Sequence, residues 1–181
     1  MTTLQVKGST IRSKLSFARE KLGADAESVL RQFLGDQGYR QILEGGWYPF
    51  ELYDGLLRQM ADHSWGGDLS QLAAVGEFSS EHALTTTYDV FAGRRDFIQF
   101  LQRLSALHGR FYSEGELSVE LRGEPGRCRI ILHGAAPYSE ADMWIASGFY
   151  TGAARLMGLG DVQCQFVNHA DRVVFDLAWS A

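Results

Sequence analysis

One histidine in this chain has the residue type and position that could bind a metal. His108 follows Phe97, Leu101 and Leu104 at helical spacing, so it shares one face of a predicted helix with apolar side chains. A buried imidazole must find a hydrogen-bond partner or a metal, because unpaired ring nitrogens cost free energy. Two interpretations follow: His108 is hydrogen-bonded to a backbone carbonyl at the edge of the core, or it is a ligand residue.

Recognisable catalytic motifs are absent from the sequence. There is no glycine-rich phosphate loop, no Gly-x-Ser-x-Gly turn, no His-Glu-x-x-His and no Cys-x-x-Cys. Cys128 and Cys164 lie far apart on predicted strands and are expected to be buried thiols. We therefore predict no catalytic residues and no enzyme. An enzyme with a dispersed site would use Tyr112, His133 and Asp142, which no spacing argument favours.

Composition limits the classes of partner. The chain has 181 residues, and 45% of them are hydrophobic, so it can bury a sizeable core. Its formal charge of −5 argues against nucleic acid and anionic membranes, which require concentrated basic surfaces. No apolar run approaches the roughly 20 residues of a membrane span, and the N-terminus lacks the apolar segment of a signal peptide. We expect a cytoplasmic protein without membrane insertion.

The elements that precede His108 are predicted to be helices. Two short apolar stripes are each followed by a glycine, Gly23 and Gly35, which are expected to end helices. Pro49 suits the first turn of a third helix. The stretch 69–91 is predicted to be a long helix with a break or kink at residues 85–87, because three successive threonines are unfavourable inside a helix.

After residue 113 the hydrophobic period changes to two. Alternation predicts a strand pair with a turn at 124–126, and Ser139 followed by Asp142 is a capping signal for a helix that runs to about Met157. Two further strands follow. The sequence therefore predicts an α+β protein, with a helical N-terminal part packed on a β-β-α-β-β antiparallel sheet. We expect one domain, 1–181, made of a helical subregion, 1–112, and an α/β subregion, 113–181.

Several segments resemble a known family. They are residues 46–53 (GWYPFELY), 76–81 (GEFSSE), 84–91 (LTTTYDVF) and 111–115 (FYSEG). The chain is similar along nearly its whole length to a bacterial family expanded as paralogues in social gliding bacteria. That family looks related to haem–nitric-oxide/oxygen-binding (H-NOX) domains, 4-vinyl-reductase-type domains and TRAPP subunits. The resemblance implies a helical part packed on an α/β part around an apolar cavity.

The resemblance also bears on haem. Residues 100–108 are similar to the helix that supplies the proximal iron ligand in haem-binding relatives, with His108 at the ligand position. Those relatives carry a Tyr-x-Ser-x-Arg motif that binds the haem propionates, whereas residues 133–138 read His-Gly-Ala-Ala-Pro-Tyr. Without the arginine, haem lacks a charge-assisted anchor. We expect no cofactor, with haem as the alternative.

Three functional hypotheses remain. The first is a non-enzymatic regulatory or sensory module that binds a small apolar ligand or a protein partner, and pairs as a homodimer as relatives do. The second is a haem-dependent gas sensor with His108 as axial ligand, and the third is the dispersed enzyme. The hypothetical ligand pocket consists of His108, Leu104, Phe97, Tyr112, Trp144 and Phe149.

Overall fold

The computed structural model describes residues 3–86, 96–121 and 126–180. The helices of this part of the chain are α1 (Gly8–Phe17), α2 (Ala24–Leu34), α3 (Asp36–Gln41), α4 (Phe50–Trp65), α5 (Leu72–Thr86), α6 (Phe97–His108) and α7 (Glu140–Leu156). The strands are β1 (Gln5–Lys7), β2 (Trp47–Pro49), β3 (Glu116–Leu121), β4 (Arg127–His133), β5 (Gly160–Asn168) and β6 (Arg172–Ser180). Helix α5 still includes Thr85 and Thr86 of the predicted break, whereas Thr87 and most of the predicted turn at 124–126 lie outside the described residues.

The predicted helix ends are confirmed. Gly23 and Gly35 follow their helices with φ angles of 94° and 71°, a region that side chains other than glycine rarely adopt. Helix α1 continues through a π-helical turn, Ala18–Leu22, before it reaches Gly23. The third predicted helix begins at Phe50, directly after Pro49.

A two-stranded ribbon was not predicted. Strands β1 and β2 pair antiparallel, with Val6 opposite Tyr48, and Val6 also forms a bridge with Tyr112. Each strand has only three residues, too few for the alternation that identifies strands in a sequence. The ribbon joins the start of α1 to the chain that follows α6, and so fixes the position of two walls of the site described below.

The predicted β-β-α-β-β order is confirmed. The four C-terminal strands form one antiparallel sheet in the order β3-β4-β6-β5, and α7 crosses from β4 to β5. The Ser139 side chain caps α7 by accepting from the Asp142 backbone N–H at 3.2 Å. Tyr150 of α7 packs edge-on against Phe175 of β6, with ring centroids 5.3 Å apart, so the helix covers the inner face of the sheet.

The glycines of α7 lie against α5. A Cβ on Gly148 would lie 1.9 Å from the backbone oxygen of Ala73, and one on Gly152 would lie 2.3 Å from Ser80 Oγ. A Cβ on Gly76 of α5 would lie 2.1 Å from the Ile145 oxygen. Small residues therefore allow α7 to approach α5, not the sheet. We call this contact the α5–α7 seam.

The buried residues form one hydrophobic cluster that includes both halves of the chain. Phe50 of α4, for example, packs on Tyr138, with ring centroids 5.6 Å apart. No helix among the described residues is long and apolar enough to cross a membrane.

Candidate ligand-binding site

A cavity of about 630 Å³ lies among α1, α5, α6, α7 and the sheet. Drug-sized ligands occupy pockets of roughly 300–1,000 Å³. The interior wall is mostly apolar and includes Phe100 and Leu104 of α6, Ile145 and Phe149 of α7, and Phe175 of β6. An apolar molecule of moderate size therefore has space between the helical part and the sheet.

His108 lies in this wall at the last residue of α6. Its Nε2 is 3.0 Å from the Tyr138 hydroxyl and 3.2 Å from the Glu114 carbonyl oxygen, and Tyr138 donates its own hydroxyl proton to that carbonyl. Nε2 therefore carries the ring proton and donates it. Burial lowers the pKa of His108, so the imidazole is neutral at physiological pH. His108 is therefore hydrogen-bonded to a backbone carbonyl, as the first interpretation of the sequence has it, and its ring also lines the cavity.

A buried carboxylate is linked to the imidazole through Tyr112. Tyr112 stacks on His108 with ring centroids 4.9 Å apart, and its hydroxyl donates to Asp142 Oδ1 at 2.8 Å. Asp142 is only 3% exposed, and burial raises its pKa to about 6. Burial and the nearby Asp142 charge raise the pKa of Tyr112 well above its usual value, so Tyr112 remains a hydrogen-bond donor.

Tyr53 lies next to this hydrogen-bonded pair but does not line the cavity. Its hydroxyl is fully buried near Asp142 and Tyr112, yet it has no hydrogen-bond partner of acceptable geometry among the described residues. A buried hydroxyl without a partner costs on the order of 1–3 kcal/mol. Burial has the largest effect on the pKa of Asp142 and raises it, whereas the Tyr112 and Tyr53 hydroxyls both lower it.

The wall also contains a buried cation. Lys14 of α1 is 2% exposed, and its Nζ donates to Ser79 Oγ of α5 at 2.8 Å. Ser79 in turn donates to the Val75 carbonyl and lies 2.8 Å from Ser13 Oγ. Burial lowers the pKa of Lys14 to about 8, although the Asp142 charge partly opposes that shift. The cavity therefore has charged groups of both signs in its wall.

The structure brings together four of the six residues of the hypothetical pocket. His108, Leu104, Tyr112 and Phe149 line the cavity, whereas Phe97 and Trp144 do not. Phe97 packs on Trp179 of β6, and Trp144 packs edge-on against Phe166 of β5. The prediction was wrong for these two residues because helical spacing alone does not show which side of a helix faces a cavity. Their place is in the packing around the cavity.

The three candidates for a dispersed enzyme site also do not all lie at the cavity. Tyr112 and Asp142 are hydrogen-bonded to each other, but His133 is exposed on the sheet, where Nε2 lies 2.8 Å from Ser118 Oγ. The three side chains therefore do not form one catalytic site. Among the described residues, no group of three histidine, cysteine or acidic side chains could hold a metal ion.

Sequence reasoning missed Lys14, Ser79 and Tyr138. Lys14 had a signal, since it lies at i+3 from Ile11 and directly before Leu15, on the apolar face of α1. Ser79 and Tyr138 had none, because their roles depend on contacts between distant parts of the chain. Asp142 was predicted as part of a helix cap and as a candidate of the dispersed enzyme site, and its side chain turns inward and bonds to Tyr112.

Tyr138 also gives a second alignment of the propionate-binding motif. Counted from Tyr138 at the spacing Tyr-x-Ser-x-Arg, this chain has Glu140 at the serine position and Asp142 at the arginine position. Either alignment lacks the arginine. In the second, a buried carboxylate replaces it.

The sequence matches no model of a known protein family, and no curated protein matches it significantly. Solved structures do match. An H-NOX protein from S. oneidensis in the Fe(II)NO ligation state has a TM-score of 0.76 and 13% identity, over 97% of this chain and 99% of the other. The Fe(II) unliganded H-NOX protein from K. algicida has a TM-score of 0.69 and 14% identity, over 97% of both chains.

A third structure, solved in work on haem redox potential and porphyrin distortion, has a TM-score of 0.73 and 12% identity, over 95% of this chain and 99% of the other. Such low identities establish the architecture only. The chain has the H-NOX fold, as its sequence resemblance implied.

Proposed function

We propose that this chain is a sensory ligand-binding domain whose cavity binds haem, with His108 as the axial iron ligand. One observation carries the proposal: in an H-NOX fold, a half-buried imidazole lies in the wall of a largely apolar cavity. The similar structures include an H-NOX protein in the Fe(II)NO ligation state, an Fe(II) unliganded H-NOX protein and one solved in work on haem redox potential. These similarities favour haem over the expectation of no cofactor.

The side chains of the cavity fit haem in three respects. A neutral imidazole is the form that binds iron, and burial already favours that form of His108. Apolar walls suit the faces of a porphyrin. Cationic side chains line the cavity and could pair with the propionates in place of the missing arginine: Lys7, Arg12, Lys14, Arg19 and Arg110.

Two hydrogen bonds of His108 would have to break for Nε2 to hold the iron of haem. The imidazole must exchange its bonds to Tyr138 and the Glu114 carbonyl for the metal, and its proton must move to Nδ1. When bound, haem supplies an iron that can take a small gaseous ligand. The chain itself orients His108, excludes water from the apolar wall and keeps Tyr112 protonated beside Asp142. We expect binding without turnover, because the described cavity wall has no activated nucleophile.

The absorption spectrum of protein titrated with hemin tests this proposal. We expect the wild type to give a saturable Soret band, and His108→Leu to lose the spectrum of the histidine-ligated ferrous form. His133→Leu is the matched control, since His133 is exposed on the sheet and distant from the cavity lining. A wild-type protein without a saturable Soret band, or a spectrum unchanged in His108→Leu, would contradict haem ligation by His108.

A second candidate is a haem-free regulatory module that binds an apolar molecule. It is favoured by the satisfied Nε2 of His108 and by the buried Asp142 where the haem-binding motif has arginine. It predicts a colourless protein that carries a co-purified apolar ligand, detectable by native mass spectrometry. A protein partner and a homodimer remain predictions that size measurements in solution can test.

A further inference from the structure

We infer that Lys14 is the residue that binds the carboxylate of an amphipathic ligand in the cavity. The inference rests on the proposed function only in requiring that the cavity is the ligand site. It names a ligand class: an apolar body with a carboxylate, supplied either by the propionates of haem or by the head of a long-chain fatty acid.

The ammonium group of Lys14 forms no direct ion pair with a described residue, although it lies within the influence of the Asp142 charge. Among the described residues, no carboxylate lies within 4.0 Å of Nζ, and the hydrogen bond to Ser79 uses one of its three N–H donors. Ser79 is a neutral partner whose own proton goes to the Val75 carbonyl. Burying a cation in this way is costly unless an anion neutralises it.

The distribution of charged side chains around the cavity also favours an anionic ligand. Among the described residues, five of the chain's 17 lysines and arginines line it, but only two of its 22 acidic residues, Glu44 and Asp142. A chain with net charge −5 has therefore gathered cations at one site. Such an arrangement favours an anionic ligand over a neutral or cationic one.

The remaining wall limits what the rest of the ligand can be. Phe100, Leu104, Ile145 and Phe149 present apolar surface to the same cavity. A small, fully hydrated anion would leave that surface unfilled, whereas an amphipathic carboxylate satisfies both parts. The Ser13 hydroxyl, 2.8 Å from Ser79 Oγ, is a further polar group next to the ammonium.

The competing explanation is structural. Lys14 would then occupy a core position only because its methylene stem packs well there. That explanation predicts that Lys14→Met leaves binding unchanged. The two explanations therefore predict different ligand affinities for Lys14→Met, and a measurement of stability would not distinguish them.

The test measures equilibrium dissociation constants for two carboxylate ligands and their uncharged analogues: hemin against hemin dimethyl ester, and hexadecanoate against hexadecanol. Wild type, Lys14→Met and Lys21→Met are compared, because Lys21 is an exposed cation of the adjoining helical turn that does not line the cavity. We expect Lys14→Met to bind the carboxylate ligand about 10- to 100-fold more weakly, as loss of a charge-assisted hydrogen bond implies. The uncharged analogue should change by less than about threefold.

Each outcome decides the matter. If Lys14→Met binds the carboxylates as the wild type does, the inference is wrong and the proposed cavity function stands. If only hexadecanoate binds, and depends on Lys14, the inference stands and the haem proposal fails. If the wild type binds neither carboxylate, both fail. If Lys14→Met does not fold, Lys14→Gln is used instead, and the ratio of its dissociation constants for the carboxylate and for the uncharged analogue is compared with that of the wild type.

Discussion

The two sides of helix α7 are built in opposite ways. Towards α5, Gly148 and Gly152 leave so little space that an added Cβ would lie 1.9 and 2.3 Å from atoms of the neighbouring helix. Towards the cavity, the same helix presents Asp142, Ile145 and Phe149 to about 630 Å³ of space. One helix therefore combines a contact without room for a methyl group with a wall that has room for a ligand.

The difference shows that the cavity is not a loosely packed core. Close-packed helices resist deformation, so the α5–α7 seam holds α7 away from the opposite wall and prevents collapse. The cavity wall also contains Lys14 and Asp142, whose burial destabilises the fold. The buried charges on the cavity side of α7 lower the stability of the fold, and the close packing against α5 offsets that loss. Such a loss of stability is common at binding sites.

The largest effect we predict concerns the charge on the cavity side. Burial raises the pKa of Asp142 from 3.8 to about 6, so between these values the folded protein binds more protons than the unfolded chain. The free energy of unfolding should therefore fall as pH rises from about 4 to about 6, by about 3 kcal/mol. Asp142→Asn should remove that fall. Urea titrations of both proteins at several pH values measure it.

A matched control separates this effect from general acid sensitivity. Asp176 is an exposed acid on the sheet paired with Arg129 at 3.0 Å, so Asp176→Asn should retain the fall between about pH 4 and 6. Equal pH profiles for the wild type and Asp142→Asn would show that Asp142 is not a strained buried acid. The comparison between the two sides of α7 would then lose its energetic basis.

A methyl group added to the seam should have the next largest effect. Gly148→Ala should lower the free energy of unfolding by about 2 kcal/mol, because the new Cβ meets the Ala73 carbonyl and the helices must separate. Gly38→Ala is the control, since its Cβ would meet only Leu34 Cβ at 3.8 Å. There the better helix propensity of alanine should dominate, giving about 0.5–1 kcal/mol of stabilisation. Chemical denaturation that ranks the two variants alike would contradict the seam.

A much larger side chain on the cavity side should have the smallest effect. Ala146 lies two residues before Gly148 and lines the cavity. Ala146→Phe should change the free energy of unfolding by less than about 1 kcal/mol, because the ring enters existing space and does not overpack a filled core. A loss of about 3 kcal/mol or more in the same denaturation experiment would show that the space is not available to a side chain.

Local patterns predicted the elements of the fold well. The change of hydrophobic period near residue 113 located the sheet, Ser139 located the start of α7, and Gly23 and Gly35 ended their helices. Each of these signals depends on residues a few positions apart in the chain. The β1–β2 ribbon had no such signal, because its strands are very short and lie far apart in the chain.

The site was less predictable for a related reason. His108 stood out because a polar residue on an apolar helix face requires a partner. The same argument applied to Lys14 would have found the buried cation of the cavity wall. Which partner each residue finds is a matter of tertiary contact. The bond of His108 to Tyr138 joins residues 30 positions apart, and that of Lys14 to Ser79 joins residues 65 apart.

The most direct test of the central claim, that the space beside α7 is a ligand cavity, is the dissociation constant of hexadecanoate or hemin for Ala146→Phe. We predict an affinity at least about tenfold weaker than that of the wild type, with the fold retained by circular dichroism, because the added ring occupies the volume that the ligand needs. An affinity equal to that of the wild type would place the ligand elsewhere and contradict the account.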